Sequence, residues 1–512
     1  MRLEADVAVV GSGFGGALAA LALRKRGRSV VLLERGRHPR FAIGESSTPL
    51  ANLLLEELAD RYDLPRLRPL AKWGPWQRSY PDLCCGKKRG FSFFAHGSGA
   101  RDRERPLLVA ASPHDEIADT HWYRPDVDHF LVREAQAEGA TYLDETLLDR
   151  VRFDDESASL EGSRRGRPVQ VAARFVVDAS GPRGFLHRAL SLPEAALRWL
   201  PATQGLYSHF SDVERIDQIF PVAEPPFPVD DAAVHHVFPG GWIWVLRFNN
   251  GLTSAGVAAT DALAAELRLA DGEAAWSRLL ARLPRVAEQF RKAKAVLPFV
   301  YSPRLAFRSA VVSGPRWALL PSAAGVIDPL LSTGFPLNLL GLHRLLGGLE
   351  AADRLDDEAG RAYAQHTLDE LDATERLVGA LYATMHDFEL FKRTSLLYFA
   401  AASFSETVRR LGRPHQARGF LLHADERFGP NLRACADAAA LRPRGAARAA
   451  LLSRIDEAIA PFDVAGLCDR SRDDRYPVRA EDLLAAAPRL GASRDELTAL
   501  LDRCGFHAAR PA

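Results

Sequence analysis

The first 34 residues constrain the fold more than any other part of the chain, because they contain a complete strand, glycine turn, helix and second strand. An apolar run ends at Val10, the turn reads GSGFGG over residues 11–16, and a helical segment ends near Gly27. A second apolar run then closes on Glu34. This order is that of a dinucleotide-binding βαβ unit. It predicts a parallel α/β sheet and a dinucleotide site, and it leaves FAD and NAD undistinguished.

The glycines of the turn have distinct physical roles. Gly11 permits the tight turn, Gly13 lets the backbone approach a pyrophosphate, and Gly16 lets the helix pack closely on the strand. The helix N-terminus then faces the negative charge, and the acidic residue after the second strand is placed to bind ribose hydroxyls. The predicted cofactor site of this unit consists of Gly11, Gly13, Phe14, Gly15, Gly16 and Glu34.

Length and charge exclude some classes of protein. The 512 residues are enough for two or three lobes around a shared site. The 66 Lys and Arg residues balance 65 Asp and Glu residues, so the net charge is +1. Nucleic-acid binding depends on concentrated positive charge, and we therefore expect no nucleic-acid partner.

Cysteine usage and the N-terminus indicate the compartment. The five cysteines are few for a secreted scaffold and lack zinc-type spacing, which predicts reduced thiols and no metal site. The N-terminal MRLEADVAVV lacks a signal-peptide pattern. The following GALAALALRKRG is too short and too rich in glycine to span a bilayer. We expect a cytoplasmic protein without a membrane span.

Further along the chain the periodicity alternates between helical and strand-like. Helices are predicted at 51–62 and 124–139, and a hairpin that feeds a buried strand at 151–180. A strand-rich block at about 203–260 predicts an antiparallel sheet, and the chain is mostly helical from about 340. The charged RDRERP at 101–106 is interpreted as a solvated loop.

These patterns predict an α/β fold. A Rossmann-like FAD- or NAD-binding lobe (1–200 and 300–350) is interleaved with an antiparallel β-sheet substrate lobe (201–299). A helical C-terminal region (351–512) completes the chain, and we expect it to shape the substrate entrance.

The segment CCGKKRGFSFF at 84–94 places Lys87 and Lys88 between paired cysteines and a cluster of phenylalanines. Taken alone, this pattern favours a solvated turn flanked by strands. Adjacent residues on an extended segment point to opposite faces, so at most one of the two amines can enter an interior site. The spacing does not decide which one.

Four separated segments resemble one family. These are IGESSTP (43–49), RPDVDHFL (124–131), VVDASGPRG (176–184) and LLPSAAGVIDPLLSTGFPLNLLGLHRL (319–345). As a set they resemble the FAD-dependent group that contains aromatic hydroxylases, geranylgeranyl reductase-like proteins and flavin-dependent halogenases. The resemblance implies FAD rather than NAD at the first motif. It also implies cofactor contacts at Glu45, Ser46, Ser47, Arg124, Asp178, Ser322 and Ile327.

Within that group, three further features resemble the halogenases. GWIWVLRF at 241–248 is similar to their W-x-W-x-I-P motif and implies a substrate tunnel lined by Trp242 and Trp244, with Arg247 in place of proline. DPLLSTGF at 328–335 is similar to their halide loop and implies a halide site at the amides of Thr333 and Gly334. Lys88-Arg89-Gly90 is similar to their K-x-G segment, which implies a catalytic lysine.

Two departures from the family pattern bear on function. Leu331 stands where the tryptophan-specific branch has glutamate, which disfavours tryptophan as substrate. Ser322 replaces the aspartate that usually bonds the ribityl chain, which suits weak, exchangeable FAD and equally suits a degenerate flavoprotein. Paired tryptophans two residues apart are also common in sheet cores, so core packing stays an alternative for Trp242 and Trp244. The neighbouring His235 and His236 lack ligand spacing and are interpreted as sheet residues.

The resemblance implies a FADH2- and O2-dependent halogenase. A halide held by backbone amides would become hypohalous acid, which a lysine amine would steer to an electron-rich, phenolic aromatic. The partners it implies are a separate flavin reductase and a small aromatic substrate, free or tethered to a carrier protein. The sequence leaves chloride and bromide open. One alternative is a FAD-dependent hydroxylase or prenyl-chain reductase, and another is a flavin-binding regulatory protein without turnover.

Overall fold

The computed structural model describes residues 1–97, 105–350 and 354–507, so residues 101–104 of the charged segment lie outside the described residues. The strands are β1 Arg2–Val10, β2 Val30–Leu33, β3 Cys85–Lys88, β4 Gly90–Ala95, β5 Leu107–Ala110, β6 Asp119–Trp122, β7 Thr141–Leu143, β8 Thr146–Phe153, β9 Ala158–Arg164, β10 Arg167–Asp178, β11 Thr203–Ser211, β12 Ala233–Phe238, β13 Gly241–Arg247, β14 Thr253–Thr260, β15 Lys294–Ala295, β16 Val300–Ser302, β17 Phe307–Arg308, β18 Ser313–Gly314, β19 Trp317–Leu319, β20 Gly325–Val326 and β21 Arg475–Tyr476. The α-helices are α1 Phe14–Lys25, α2 Pro49–Arg61, α3 Trp73–Ser79, α4 Arg124–Ala137, α5 Phe185–Ala189, α6 Ile216–Ile219, α7 Asp261–Leu267, α8 Glu273–Arg282, α9 Pro284–Gln289, α10 Pro321–Ala324, α11 Gly334–Gly348, α12 Asp357–Thr384, α13 Phe388–Arg410, α14 Phe428–Ala440, α15 Gly445–Ile459, α16 Ala480–Ala485, α17 Ala487–Leu490 and α18 Arg494–Arg503.

The first sheet is built around the predicted βαβ unit. β1 pairs in parallel with β2 on one side and with β10 on the other. The sheet continues through β7 beyond β2 and through β19 beyond β10. The four successive residues of β2 are buried, as expected for a parallel strand covered on both faces. The prediction of a Rossmann-like lobe is therefore confirmed.

A β-hairpin extends this sheet. β9 pairs antiparallel with β10, and the turn between them is Arg165-Gly166. Both turn residues have positive φ, +50° for Arg165 and +76° for Gly166, as the tightest hairpin turns require. The hairpin expected from residues 151–180 is present, with a shorter turn than the polar run EGSRRGRP indicated.

The second sheet contains the predicted antiparallel block. β11, β14, β13 and β12 lie side by side in antiparallel pairs. β4 then pairs in parallel with β12, β5 pairs with β4, and β21 pairs with β5. The sheet therefore extends beyond the predicted 201–299 span, because its remaining strands come from distant parts of the chain. The lobe boundaries themselves stay a prediction.

The two faces of the second sheet pack against different partners. One face, with Ile243 and Val245, packs in a core that includes Trp276 and Leu279 of α8. The other face, with Trp242 and Trp244, belongs to the large core shared with the first sheet and the C-terminal helices. Residues alternate between the faces as a pleated strand requires. The chain from α11 to α18 is mainly helical, which confirms the predicted helical C-terminal region.

Three predictions from the sequence can be compared with this fold. All five cysteines are free thiols. Among the helices of the described ranges, none is both long and apolar enough to cross a bilayer. The described residues also contain no cluster of three or more His, Cys, Asp or Glu side chains suited to a metal ion.

Candidate active site

The glycine turn after β1 leaves no room for side chains. Gly11 has φ +96°, and a Cβ there would lie 2.5 Å from the carbonyl oxygen of Ala179. A Cβ on Gly16 would lie 1.9 Å from the carbonyl oxygen of Gly11. At Gly13 a Cβ would lie 3.3 Å from Nη2 of Arg124. The turn is therefore held closely by the strand end and by α4, as a pyrophosphate-binding turn requires.

A cleft of about 320 Å³ opens beside this turn. Glu34 lies on its wall, where its Oε2 accepts hydrogen bonds from Ser12 Oγ (2.9 Å) and from Arg40 Nη2 (3.2 Å). Burial raises the pKa of Glu34, but Arg40 and the amides of Gly36 and Ser12 lower it by more, so the carboxylate is anionic. Three donors crowd Oε2, whereas Oε1 accepts from the amide of Gly36 alone among the described residues (2.9 Å), so Oε1 can still accept from a ribose hydroxyl. The cleft and its acid fit the adenosine end of a dinucleotide.

Arg124 forms hydrogen bonds to the start of the segment IGESSTP (43–49). Its guanidinium pairs with Asp128 one turn along α4, at 2.7 Å and 2.8 Å. Its Nη1 donates to the carbonyl oxygens of Ile43 (3.1 Å) and Gly44 (2.9 Å). Arg124 thus holds the start of IGESSTP against the nucleotide turn. A direct contact of Arg124 with the cofactor stays a prediction.

Two further predicted cofactor residues lie at strand ends of the first sheet. The carboxylate of Asp178, at the end of β10, accepts from Ser180 N (2.8 Å) and Leu186 N (2.6 Å). The amide of Ser322 donates to Oδ1 of Asn338 at 3.3 Å. A Cβ on Gly15 would lie 2.2 Å from Nδ2 of Asn338, so Asn338 bridges the glycine turn and the α10 segment. The buried Ile327 follows this segment.

The predicted halide loop has a strained backbone. Leu331 and Ser332 both have positive φ, 65° and 56°, which costs energy in residues other than glycine. Thr333 is buried and its side chain does not cap α11, which begins at Gly334. A Cβ on Gly334 would meet nothing within 4 Å. The loop therefore places uncapped amides at a helix N-terminus beside open space, an arrangement that suits an anion.

Asp328 anchors this loop. Its Oδ1 accepts from the amide of Leu330 (2.9 Å) and from Nε1 of Trp242 (3.2 Å), and its Oδ2 accepts from the hydroxyl of Tyr382 (2.8 Å). Burial raises the pKa of Asp328 to about 6, although each of these donors lowers it. One carboxylate therefore joins the loop, β13 and α12.

An aromatic wall runs from Asp328 towards Lys88 along one face of the second sheet. We define it as Trp242, His235, Phe93 and Phe91. The indole of Trp242 stacks on His235 with centroids 5.2 Å apart, and His235 stacks on Phe93 at 4.3 Å. Phe93 and Phe91 follow at 6.3 Å. Trp244 contacts Trp242 at 5.7 Å. His235 and His236 both lie in β12, as predicted.

Lys88 lies at the far end of the wall and is 0% exposed. Its Nζ donates to Oγ of Ser46 (2.9 Å) and to the carbonyl oxygen of Ser47 (2.5 Å), and it lies 3.8 Å from the ring centroid of Phe91. Burial lowers the pKa of Lys88 to about 7, and the field of Asp119 opposes this shift. Both proton states of the amine are therefore accessible near neutral pH.

Lys87 points the other way. Its Nζ forms ion pairs with Asp115 at 2.6 Å and Asp231 at 3.1 Å, and its side chain is 24% exposed. Desolvation lowers the pKa of Lys87, but these two acids raise it by more, so this amine is a permanent cation. The interior amine of the pair is therefore that of Lys88.

Glu45 and Arg247 have partners that the sequence did not indicate. Oε1 of Glu45 lies 2.8 Å from Nε2 of His209, and both side chains are buried. Arg247, which stands in place of the motif proline, pairs with Asp230 at 2.5 Å and donates to the carbonyl oxygen of Val213. The guanidinium that replaces the motif proline therefore finds its hydrogen-bond partners inside the protein.

A largely apolar cavity of about 180 Å³ lies beyond Phe91. It lies between β4, β5 and α13, and Tyr476 and Phe506 of the C-terminal region form part of its wall. Its lining includes Thr48, Phe91, Tyr398, Phe399, Ala402 and Phe506. Phe91 lines this cavity and its ring centroid also lies 3.8 Å from Nζ of Lys88, so one ring contacts both the cavity and the buried amine.

Sequence reasoning missed Asp119, His209, Asn338, Tyr382 and Tyr398. No motif marks Asp119, His209, Tyr382 or Tyr398, because each acts through a contact with a residue far away in the chain, whereas Asn338 lies inside the family segment 319–345 without a role assigned to it. Asp328 lies inside the halide loop, directly before Pro329. An acidic residue among apolar neighbours at that position could have indicated from the sequence that it has a structural role.

Comparison with known proteins identifies relatives. The model of the FAD dependent oxidoreductase family matches residues 6–334. The chain is 31% identical over 397 residues to monodechloroaminopyrrolnitrin halogenase PrnC of Pseudomonas fluorescens, covering 75% of this chain and 69% of that protein. It is 30% identical over 416 residues to tetracycline 7-halogenase of Kitasatospora aureofaciens, covering 78% and 73%.

Solved structures show the same fold. A crystal structure of a point mutant of halogenase PltM in complex with FAD superposes with a TM-score of 0.80 at 25% identity. The match covers 90% of this chain and 96% of that one. These relatives confirm the resemblance stated from the sequence and the choice of FAD over NAD.

Proposed function

The chain belongs to the FAD-dependent oxidoreductases and, within them, to the flavin-dependent halogenases, and from this we propose how its site works and what it halogenates. The cofactor is FAD, and the inorganic substrate is a halide. The tight glycine turn, the cleft beside it and the acid Glu34 are the features that the adenosine end of FAD requires. When bound in reduced form, FAD would supply two electrons that activate O2, and O2 would take the other two from the halide as it becomes hypohalous acid.

The halide loop supplies the anion site. The amides of Thr333 and Gly334 stand at the start of the 15-residue helix α11, whose N-terminus carries partial positive charge. Asp328 holds the loop in its strained form through Leu330, which preorganises the amides. Trp242 of the aromatic wall and its neighbour Trp244 would line the route that a small electrophile takes from this loop towards the substrate cavity.

Lys88 steers the electrophile. A buried amine with a pKa of about 7 has two ways to act. As an ammonium it can donate a hydrogen bond to hypohalous acid, and as a neutral amine it can form a haloamine. Phe91 and Phe93 exclude water along the wall, so the electrophile is not consumed by solvent. The single observation that carries this proposal is the position of the Lys88 amine. It is buried at the end of the aromatic wall and contacts Phe91, which also lines the apolar cavity.

We assign the organic substrate to the cavity beyond Phe91. Its lining is dominated by aromatic and aliphatic side chains, with the hydroxyls of Thr48 and Tyr398 among the few polar groups. Such a pocket suits a flat, electron-rich ring with a hydroxyl, and thus a phenol. The C-terminal residue Phe506 forms part of the enclosure, which supports the expected role of the helical region at the entrance.

The proposed enzyme depends on a separate flavin reductase and acts in the cytoplasm. The chain has one dinucleotide motif, so we expect NADH or NADPH alone to leave the bound flavin oxidised. The test is to mix purified protein, FAD, a flavin reductase, NADH, bromide or chloride, and candidate phenols, and to search for ring-halogenated product by mass spectrometry. Hydroxylated product without halogen, or rapid flavin reduction by NADPH alone, would contradict the proposal.

A further inference from the structure

A buried acid is the cross-strand partner of the lysine that carries the steering amine. β3 and β6 form a two-stranded antiparallel ribbon in which Lys88 and Asp119 are paired residues. Directly opposite residues share a face, and both side chains are 0% exposed. On the other face of the same ribbon, Lys87 forms ion pairs with Asp115 and Asp231. The ribbon thus gives each lysine a separate electrostatic environment.

The direct partners of the Lys88 amine are uncharged. Nζ donates to the hydroxyl of Ser46 and to the carbonyl of Ser47, and neither group can neutralise an ammonium. Burial disfavours the charged amine, and the carboxylate of Asp119 is the group that favours it. The balance between these two effects determines the proton state of the amine.

Only one of the two carboxylate oxygens of Asp119 accepts a hydrogen bond from the described residues. Its Oδ1 accepts from Nδ2 of Asn52 at 2.7 Å and lies 3.6 Å from Nζ of Lys72. Its Oδ2 has no hydrogen-bond partner among the described residues. Burial raises the pKa of Asp119, while Lys72 and Lys88 lower it and Glu406 of α13 raises it. The acid is therefore shared between two lysines.

The other titratable groups that face this pair come from three elements. His121 of β6 and His235 of β12 are held neutral, because burial and the charge of Lys88 lower the pKa of each imidazole. Tyr398 of α13 stays a neutral phenol, because burial and Asp119 raise its pKa. The remaining ionisable groups that act on this pair are therefore Lys72 and Glu406.

We propose that Asp119 is a positioning residue of the halogenation site, whose buried carboxylate sets the charge carried by the Lys88 amine. This inference rests on the proposed role of Lys88 as the steering group. With Asp119 present, the amine exchanges between ammonium and neutral forms in the working pH range. Without the carboxylate the amine is neutral over that range and no longer donates as an ammonium to hypohalous acid.

The chain makes a direct test practical, because it contains only seven lysines, at positions 25, 72, 87, 88, 292, 294 and 392. Protein with 13Cε-labelled lysine is titrated by NMR, and the Lys88 signal is assigned by its loss in Lys88→Met. In Asp119→Asn we expect the Lys88 midpoint to fall by about one pH unit or more. In Asp115→Asn, which removes the acid on the opposite face, the Lys88 midpoint should stay the same.

A second variant keeps the test decisive if Asp119→Asn does not fold. Lys72→Met removes the competing cation, so the Lys88 midpoint should move in the opposite direction, upwards. Midpoints that do not move in these variants would overturn the proposal. The titration needs no halogenation, so an enzyme that makes no product would count against the proposed function alone. In an active enzyme, the product formed per flavin oxidised should change with pH as Lys88 titrates. The pH at the midpoint of that change should shift together with the NMR midpoint.

Discussion

Nε1 of Trp242 donates to Oδ1 of Asp328 at 3.2 Å, and this bond connects the tryptophan strand to the halide loop. The same carboxylate accepts from Tyr382, so its charge is compensated by neutral donors alone. A buried carboxylate that loses one of its donors is costly to the fold. This relationship explains how a loop with two left-handed residues keeps one conformation.

Replacing Tyr382 by Phe should destabilise the protein by about 1–3 kcal/mol at pH 7.5, because the buried Asp328 carboxylate loses a donor. The folded-state pKa of Asp328, about 6, lies above its unfolded value, so protonation is favoured by folding and the carboxylate is neutral at pH 5. The cost of Tyr382→Phe, measured by urea unfolding, should therefore be smaller at pH 5. The control Tyr363→Phe removes a bond to the carbonyl of Leu319 and should show no such pH dependence. Equal costs of Tyr382→Phe at both pH values would contradict the assignment.

Gly13→Val should abolish FAD binding. A Cβ at this position already lies 3.3 Å from the Arg124 guanidinium, and the added methyl groups would occupy the path of the pyrophosphate. Flavin fluorescence quenching or calorimetry measures the loss. Gly360→Val in α12 is the matched control, since a Cβ there lies 3.8 Å from Leu355 and far from the cleft. Retained FAD affinity in Gly13→Val would refute the cofactor site.

Gly334→Ala should leave the fold intact and raise the KM for halide. Nothing lies within 4 Å of the position that the alanine methyl group would take, so the protein should unfold at the same temperature or slightly higher. The methyl group would stand beside the amide that we propose to hold the halide. Thr333→Val should be tolerated better, because amides rather than the hydroxyl hold the anion. Gly347→Ala, in the same helix, serves as the control for propensity. An unchanged halide KM in Gly334→Ala would place the anion elsewhere.

Local pattern was enough to predict the βαβ unit, the hairpin and the helical C-terminus, because each of them depends on residues close together in the chain. The parallel pairing of β4 with β12 was not predictable, since residues 90–95 and 233–238 meet only in the folded protein. For the same reason the sequence left Lys87 and Lys88 undistinguished. Their environments depend on the register of β3 with β6, which brings Asp119 to Lys88.

Ala402→Trp should block halogenation while FAD binding and flavin oxidation continue. Ala402 lines the cavity on α13, and an indole there would fill space assigned to the substrate ring. The expected result is flavin oxidation without halogenated product, measured by chromatography of the phenol. Ala449→Trp, on an exposed position of α15, is the matched control for the added aromatic side chain. Full activity of Ala402→Trp would show that the substrate binds outside this cavity.

The two neighbouring lysines give the sharpest test of the mechanism. Lys88→Met has nearly the same length and removes an amine whose burial is unfavourable, so it should fold and bind FAD. It should lose halogenated product while flavin oxidation continues, because the step of aiming the electrophile is separate from flavin chemistry. Lys88→Arg should recover little, since guanidinium is bulkier and permanently charged. Lys87→Met removes only the partly exposed ion pairs with Asp115 and Asp231 and should keep most activity. The measurement is product formed per flavin oxidised in the three variants. An active Lys88→Met beside an inactive Lys87→Met would move the role to the exposed lysine, and activity in both would remove lysine from the mechanism.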